Sequence, residues 1–422
     1  IEKRDSLKGE ITVPGDKSIS HRAIVLCSLA KGISEIDGFL LSEDCISTID
    51  CLRKMQVGIE IQSNNKIKIQ GNGIRGLKQP TSPLNTGGSG TALRLILGVM
   101  SGQPFNSVIT RDETGQRKPL GRIVKVLRQM GAHISGRDDS NLCPLNIAPS
   151  NLKGTSFNLS TANTQIKTPI LTAALYASGA TTVSETTKSR DHTELMLSYL
   201  GAKVDVNGPE VTVHCVDELF AQKIEIPGDI SMAAYFITAG LIVPNSDITI
   251  KNVGINPTRT GILEVYKKMG AKIKITNEKV VNNEKVADLH ITTSTLKGIK
   301  IEGELIPTLL DEIPVIAVAA AMASGTTEFK DLTGYKIKES GKLKALTIEL
   351  AKMGANIQET ETGLVIHGGK PLRGTVIECA NDHTIALATS VAGLVAEGET
   401  MIRKAQILDI IYPNYIDVLN TL

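Results

Sequence analysis

Near the start of the chain, the stretch VPGDKSISHRAIVLCSLAKG places Lys17 and Arg22 at the mouth of a long apolar run. The run has the composition of a buried helix, and a helix start carries partial positive charge that favours anions over cations. Two cations at that position imply that the negative charge arrives with a ligand. Arg22 lies about one helical turn after Ser18, so the pair can grip a single carboxylate. Lys17-Ser18 has the ending of a phosphate-binding loop, but Asp16 stands where a Gly should precede the Lys, which argues against a nucleotide site.

Other stretches offer complementary chemistry. In TGGSGTALR, Gly87, Gly88 and Gly90 let the backbone approach a ligand closely. In TANTQIKT, Asn163, Thr164 and Gln165 are uncharged donors suited to a phosphate or a sugar-like ring. KSRDHTE adds Ser189, Arg190 and His192 ahead of another helix. His192 has the chemistry of a general acid, although a lone His in such a setting is usually structural. PTLLDEIP sets Asp311 and Glu312 beside an apolar helix, where a carboxylate is also favourable for its own sake. YKIKESGK crowds Lys336, Lys338, Glu339 and Lys342 into what reads as a loop after a strand, and Lys–Glu adjacency permits proton transfer. QRKPLG holds Arg117 and Lys118 before a proline that opens an outer helix, a pattern equally suited to a plain surface.

These residues recur at corresponding places in six related segments. The segments open at VPGDKS, NTGGSG, STANTQ, PGDISM, LLDEIP and NDHTIA. Each opens with small, polar or charged residues, continues as an apolar helix and usually stops near Gly. A short β-like run follows each: ISEID, NSVIT, TTVSE, DITIK, TTEFK and ETMIR. A second, amphipathic helix closes five of the six on LRKMQV, LRQMGA, LSYLGA, YKKMGA or LAKMGA, whereas the last ends with NYIDVLNTL. Six such units most simply make two domains of three. The first helix of each unit is apolar nearly all round and is expected inside, and the second, with a Lys-rich face, outside. Buried parallel helices group their amino ends, and two such groups facing one another would form an anion-binding cleft.

Composition narrows the function class. The chain has 422 residues, 41% of them hydrophobic, and a formal net charge of +2, so no global field favours nucleic acid. The six cysteines form neither a CxxC pair nor any metal-ligand spacing, and they read as reduced thiols of a cytoplasmic protein. No apolar run has the length and purity of a membrane span.

In order, PGDKSISHRA, SGTALR, SRDHTE, PGDIS, NPTRTG, DEIPV, KIKES and NDH resemble the motifs of the 5-enolpyruvylshikimate-3-phosphate synthase family, essentially end to end. The resemblance implies an α/β (α+β) fold of two domains, each built from three βαβαββ-type units with buried helices inside and sheets outside. Residues 1–15 and 230–422 would form one domain and 16–229 the other, with the active site in the cleft between them. It also implies an enolpyruvyl transfer from phosphoenolpyruvate to shikimate 3-phosphate, with phosphate released and neither metal nor organic cofactor. Carried over residue by residue, Lys17, Asp311, Lys338 and Glu339 would be catalytic. Asp311 would take the proton of the attacking hydroxyl, helped by Lys17 or Lys338, and Glu339 would handle the proton at the enolpyruvyl methylene. Shikimate 3-phosphate would meet Lys17, Ser18, Arg22, Asn163, Thr164, Gln165, Ser189, Asp311 and Lys338. Phosphoenolpyruvate would meet Lys17, Gly88, Gly90, Lys118, Gln165, Glu339 and Lys342.

The departures from the family pattern gather on the second substrate. Gly88 replaces an Asn, Lys118 and Lys342 replace Arg, Thr384 replaces the Arg of a DHR motif, and Ile410 stands where a Lys is frequent. Lys is a point charge and does not reproduce a bidentate fork on a carboxylate. Two other readings therefore accompany the transferase. One is a lyase that eliminates phosphate or water from shikimate 3-phosphate or a related cyclitol acid. The other is a catalytically silent binding protein.

Overall fold

The computed structural model describes residues 1–422 apart from 64, 114, 339, 340, 380 and 381, and apart from the side chains of 336–338, 409 and 410. The chain forms two compact units. One comprises Ile1–Pro14, Pro227–Val280 and Lys285–Leu422; the other comprises Gly15–Ile226 and Val281–Glu284. Each has its own apolar core.

Six apolar helices supply those cores: Lys17–Leu29, Gly90–Ser101 and Thr164–Ala174 in one unit, and Ile230–Ile242, Ile313–Met322 and His383–Gly393 in the other. The small polar residues preceding them in the sequence act as caps. Asp16, Ser89, Asn163, Asp229 and Asp382 each accept a backbone N–H from the first turn. Such a bond satisfies one of the amides left unpaired at a helix start and contributes about 1 kcal/mol. The Ile313–Met322 helix instead opens with a proline in its first turn, which has no N–H to satisfy. Close packing explains the small residues within these helices. A Cβ at Gly98 would meet the Pro169 carbonyl at 2.5 Å and also strike the Thr172 hydroxyl. Beyond three of the helices, Gly179, Gly325 and Gly398 turn the chain into the next strand with φ of +91°, +87° and +86°, a conformation that other residues rarely adopt.

Each unit carries three sheets outside its helices. The sheet of Ser156–Leu159, Thr181–Glu185, Val204–Asn207 and Glu210–Val213 displays the repeated plan. Its first two strands are parallel, joined across a buried helix, and the last two form an antiparallel hairpin beside the second. Leu84–Asn85, Ser107–Thr110, His133–Gly136 and Leu142–Ala148 follow it. So do Lys300–Ile301, Thr326–Phe329, Asn356–Glu359 and Leu364–His367. Two sheets take their first strand from a distant stretch: Lys8–Thr12 runs parallel to Asp247–Gly254, and Lys223–Glu225 parallel to Ala30–Asp37. Among the described residues the sixth sheet has only the parallel pair Val376–Glu378 and Met401–Arg403, and the short helix Tyr415–Asn420 follows where a hairpin would be.

Two elements differ from the sequence-based expectation. The backbone over Thr333–Lys338 is a short helix and not a loop, so Lys336 and Lys338 stand on helical turns. The second helix of the third repeat, His192–Tyr199, has no lysine face; it buries His192, Thr193, Glu194, Met196 and Leu197. Thr193 and Glu194 are drawn inward because Arg22 and Lys167 are buried there and need partners.

Candidate functional site

In the unit that contains Lys17, side chains tie three helix starts together. Arg22 is 3% exposed. Its Nε donates to Thr193 Oγ1 (2.8 Å), Nη1 to the Ser18 carbonyl (2.9 Å) and Nη2 to Thr168 Oγ1 (3.1 Å). Burial lowers its pKa to about 10, against the attraction of Glu194. His21, wholly buried, connects the first helix to the second. Thr48 Oγ1 donates to the Asp44 carbonyl and so accepts from His21 Nδ1–H at 2.9 Å. Nε2 then accepts from the hydroxyl of the cap residue Ser89 at 3.2 Å. Burial, with Lys17 nearby, lowers the imidazole pKa to about 3, which keeps it neutral. Lys17 itself pairs with Asp44.

The Gly90 and Thr164 helices meet through Arg94, whose Nη2 donates to Gln165 Oε1 at 3.0 Å. That contact commits the Gln165 oxygen and leaves its amide N–H groups as donors. A Cβ on Gly90 would strike Arg94 Nη1, so a larger residue there would displace the guanidinium from this position. Arg111, 4% exposed, donates to the carbonyls of Gly88 (2.7 Å) and Gly115 (3.2 Å) and holds the Gly-rich turn against the next loop. Burial and the neighbouring Arg111 charge together lower the Arg94 pKa to about 10. Two close guanidinium groups beside a helix start make this end of the unit electropositive.

Asn163 Oδ1 caps the third helix by accepting from the N–H groups of Gln165 and Ile166. Behind it lies a buried triad. Lys167 Nζ sits 3.0 Å from Glu185 Oε2 and 2.8 Å from Glu194 Oε1. Glu185 also accepts from the backbone N–H of Asn163 and from both the N–H and the hydroxyl of Ser189. Burial raises the Glu194 carboxyl pKa in spite of the attraction of Lys167, and the Asp191 charge adds to the rise. His192 is also buried, with Nδ1 2.6 Å from Glu284 Oε1.

In the unit that contains Asp311, a second polar cluster occupies the starts of the Ile230 and Ile313 helices. Ser231 Oγ donates to Glu312 Oε1 at 2.5 Å and accepts from Arg259 Nη2 at 2.6 Å. Arg259 also reaches Asp229, the cap of the Ile230 helix, at 3.3 Å. Glu312 is 1% exposed, whereas Asp311 beside it faces solvent. At the His383 helix, Asp382 Oδ1 accepts from the N–H and hydroxyl of Thr384, and Oδ2 lies 3.2 Å from Lys342 Nζ. Burial pushes the Asp382 carboxyl up, but Lys342 and Thr384 outweigh it and hold it below its usual value.

Of the sequence-predicted residues, Lys17, Ser18, Arg22, Gly88, Gly90, Asn163, Thr164, Gln165 and Ser189 belong to one unit, and Asp311 and Lys342 to the other. Lys118 is exposed on a loop where Arg117 pairs with Glu113 at 3.2 Å. Glu339 and the side chain of Lys338 lie outside the described residues, as does the side chain of Ile410. Sequence reasoning overlooked Arg94, Arg111, Lys167 and Glu185. Two of these carried a signal: Arg94 in GTALRLILG and Lys167 in TQIKTPILT are charges inside apolar runs, which demand buried partners.

The comparisons with known proteins agree along the whole chain. The family pattern described as EPSP synthase (3-phosphoshikimate 1-carboxyvinyltransferase) matches residues 1–419. A 3-phosphoshikimate 1-carboxyvinyltransferase of Thermoanaerobacter sp. (strain X514) is 51% identical over 415 residues, covering 98% of this chain and 97% of its own. The enzyme of the same name from Desulforamulus reducens is 46% identical over 413 residues, with 98% and 96% covered. The solved EPSP synthase of Acinetobacter baumannii superposes with a TM-score of 0.92 at 38% identity, covering all of this chain and 97% of that one. The chain belongs to the EPSP synthase family, a family of enolpyruvyl transferases. Among the described residues no helix is long and apolar enough to cross a membrane.

Proposed function

We propose that this chain transfers the enolpyruvyl group of phosphoenolpyruvate to the 5-hydroxyl of shikimate 3-phosphate. The hydroxyl oxygen bonds to the substituted vinyl carbon, the methylene gains a proton and later returns it, and phosphate leaves. The observation that supports this best is the joining of the Lys17, Gly90 and Thr164 helix starts through Arg22, His21 and the Arg94–Gln165 contact. It gathers cations and uncharged donors where a carboxylate and a phosphate on one ring need them. Ser18 and Arg22 are assigned to the ring carboxylate, and Asn163, Thr164, Gln165 and Ser189 to the phosphate and ring. Asp311 is assigned to the attacking hydroxyl with Lys17 or Lys338, and Glu339 to the methylene. Lys17, Gly88, Gly90, Lys118, Gln165, Glu339 and Lys342 are assigned to phosphoenolpyruvate. The functional division is 1–15 with 230–422 against 16–229. The six cysteines are all unpaired, in keeping with a cytoplasmic setting.

The test is to supply shikimate 3-phosphate with and without phosphoenolpyruvate and to identify products by mass. An enolpyruvyl ether formed only with both substrates is expected. Phosphate released from shikimate 3-phosphate alone would establish the lyase instead, and binding without turnover the silent protein.

A further inference from the structure

We propose that Glu185 is a positioning residue that locks the Asn163–Gln165 helix start and Ser189 into one phosphate cradle; this rests on the assignment of those residues to the substrate phosphate. Glu185 ends the strand Thr181–Glu185 and is 6% exposed. Its two oxygens receive four donors from three residues. Oε1 accepts the Asn163 N–H at 2.7 Å. Oε2 accepts the Ser189 N–H at 3.1 Å and the Ser189 hydroxyl at 2.8 Å, and it lies 3.0 Å from Lys167 Nζ. An ionised carboxylate only accepts, and here one donor meets Oε1 while three converge on Oε2.

The arrangement determines which atoms remain for a ligand. Asn163 spends its side-chain oxygen on the cap, which leaves its amide N–H groups as donors. Gln165 spends its oxygen on Arg94, with the same result. Ser189 gives its hydroxyl hydrogen to Glu185, so for a phosphate to receive that hydrogen the bond to Glu185 must be exchanged. Glu185 thus sets both the spacing of the cradle and the orientation of one of its donors. Lys167, from the interior of the same helix, offsets the carboxylate in part, since it also pairs with Glu194, and so weakens the repulsion that buried negative charge behind the cradle would exert on an incoming phosphate.

Glu185→Gln keeps the shape but puts an amide NH2 where a donor now points, so either the Asn163 or the Ser189 tether is lost. The experiment is calorimetric titration of the full chain, native and E185Q, with shikimate 3-phosphate and with shikimate. The affinity ratio of the two ligands isolates the contribution of the phosphate. A fall of about tenfold or more in that ratio is expected, as for a lost charge-assisted contact. The KM for phosphoenolpyruvate at saturating shikimate 3-phosphate is expected to rise by less than about threefold, because of the cradle residues only Gln165 is shared with that substrate and Arg94 also holds it; general loosening would move both alike. Hydrogen exchange on the native chain provides a measurement that does not depend on the variant folding. The Asn163 and Ser189 amides should gain protection with shikimate 3-phosphate but not with shikimate. A folded E185Q with the native ratio, or no phosphate-dependent protection, overturns the inference alone. A native chain that does not bind shikimate 3-phosphate overturns the functional reading, and this inference with it.

Discussion

Replacing Lys167 by Met tests how the buried Lys167–Glu185–Glu194 triad is held. Methionine keeps the length and most of the volume of lysine, so packing changes little. What is lost is an ammonium 3.0 Å from Glu185 and 2.8 Å from Glu194, with all three side chains less than 5% exposed. Removing one partner of a buried ion pair destabilises by roughly 3–5 kcal/mol, because an uncompensated charge stays behind. For a unit of this size each kcal/mol lowers the midpoint by about 2–4 °C, so calorimetry should record a fall of ~6–20 °C. The pH dependence carries a sign. Without the lysine, the Glu194 carboxyl, already raised by burial, rises further above the ~4.3 of an unfolded chain. Between those two values the native variant binds more protons than the unfolded one, so its stability falls as pH rises. The deficit should therefore be larger at pH 8 than at pH 5. At the alkaline end, Lys167 in the native protein has a raised pKa because the two glutamates overcome its burial. Its contribution is complete below about pH 10.4 and is lost as pH rises through the folded value, so the deficit should shrink again there. In the Lys167→Met background, Glu194→Gln should recover about half the loss, since Glu185 keeps its three other donors. A deficit below ~1 kcal/mol at neutral pH, or one that grows on acidification from pH 7 to pH 5, would refute the triad as a charge-compensated unit.

Restoring the guanidinium groups with Thr384→Arg and Lys342→Arg should lower the KM for phosphoenolpyruvate by about tenfold or more in steady-state assays and leave that for shikimate 3-phosphate nearly unchanged; equal KM values in native and variant chains would count against the assignment. Thiol titration of the native chain should find one fast-reacting cysteine, Cys215, because the other five are buried. Burial raises the thiol pKa of Cys27 and Cys51 to about 12 and that of Cys45 to about 11. Gly98→Ala should destabilise the unit by roughly 1–3 kcal/mol in urea unfolding, because the added methyl meets the Pro169 carbonyl and Thr172 with little room to shift.

What the sequence revealed and what it concealed divide along a physical line. Caps, apolar runs and helix-to-strand turns are local, so Asp16, Ser89, Asn163, Asp229 and Asp382 could be recognised as openings of buried helices before any coordinates. The Thr333–Lys338 helix was hidden because Gly334 and Gly341 bracket a lysine-rich stretch; Gly341, with φ of +83°, opens the next helix as its cap. Partner choice is not local. Nothing near Lys167 in the chain indicates that Glu185 and Glu194 will meet it, or near Arg94 that Gln165 will. The pair Lys342–Asp382 bears on the proposed phosphoenolpyruvate contacts. Read alone, Lys342 is a retained cation beside a lost fork. Paired with Asp382, which also accepts the Thr384 hydroxyl, it brings a compensating carboxylate with it. On the proposed assignment, an anionic substrate would share the ammonium with Asp382, and its attraction would be reduced even though the formal charge is kept. The charge that Lys342 can offer is thus set by Asp382, a neighbour that becomes visible only once the chain has folded.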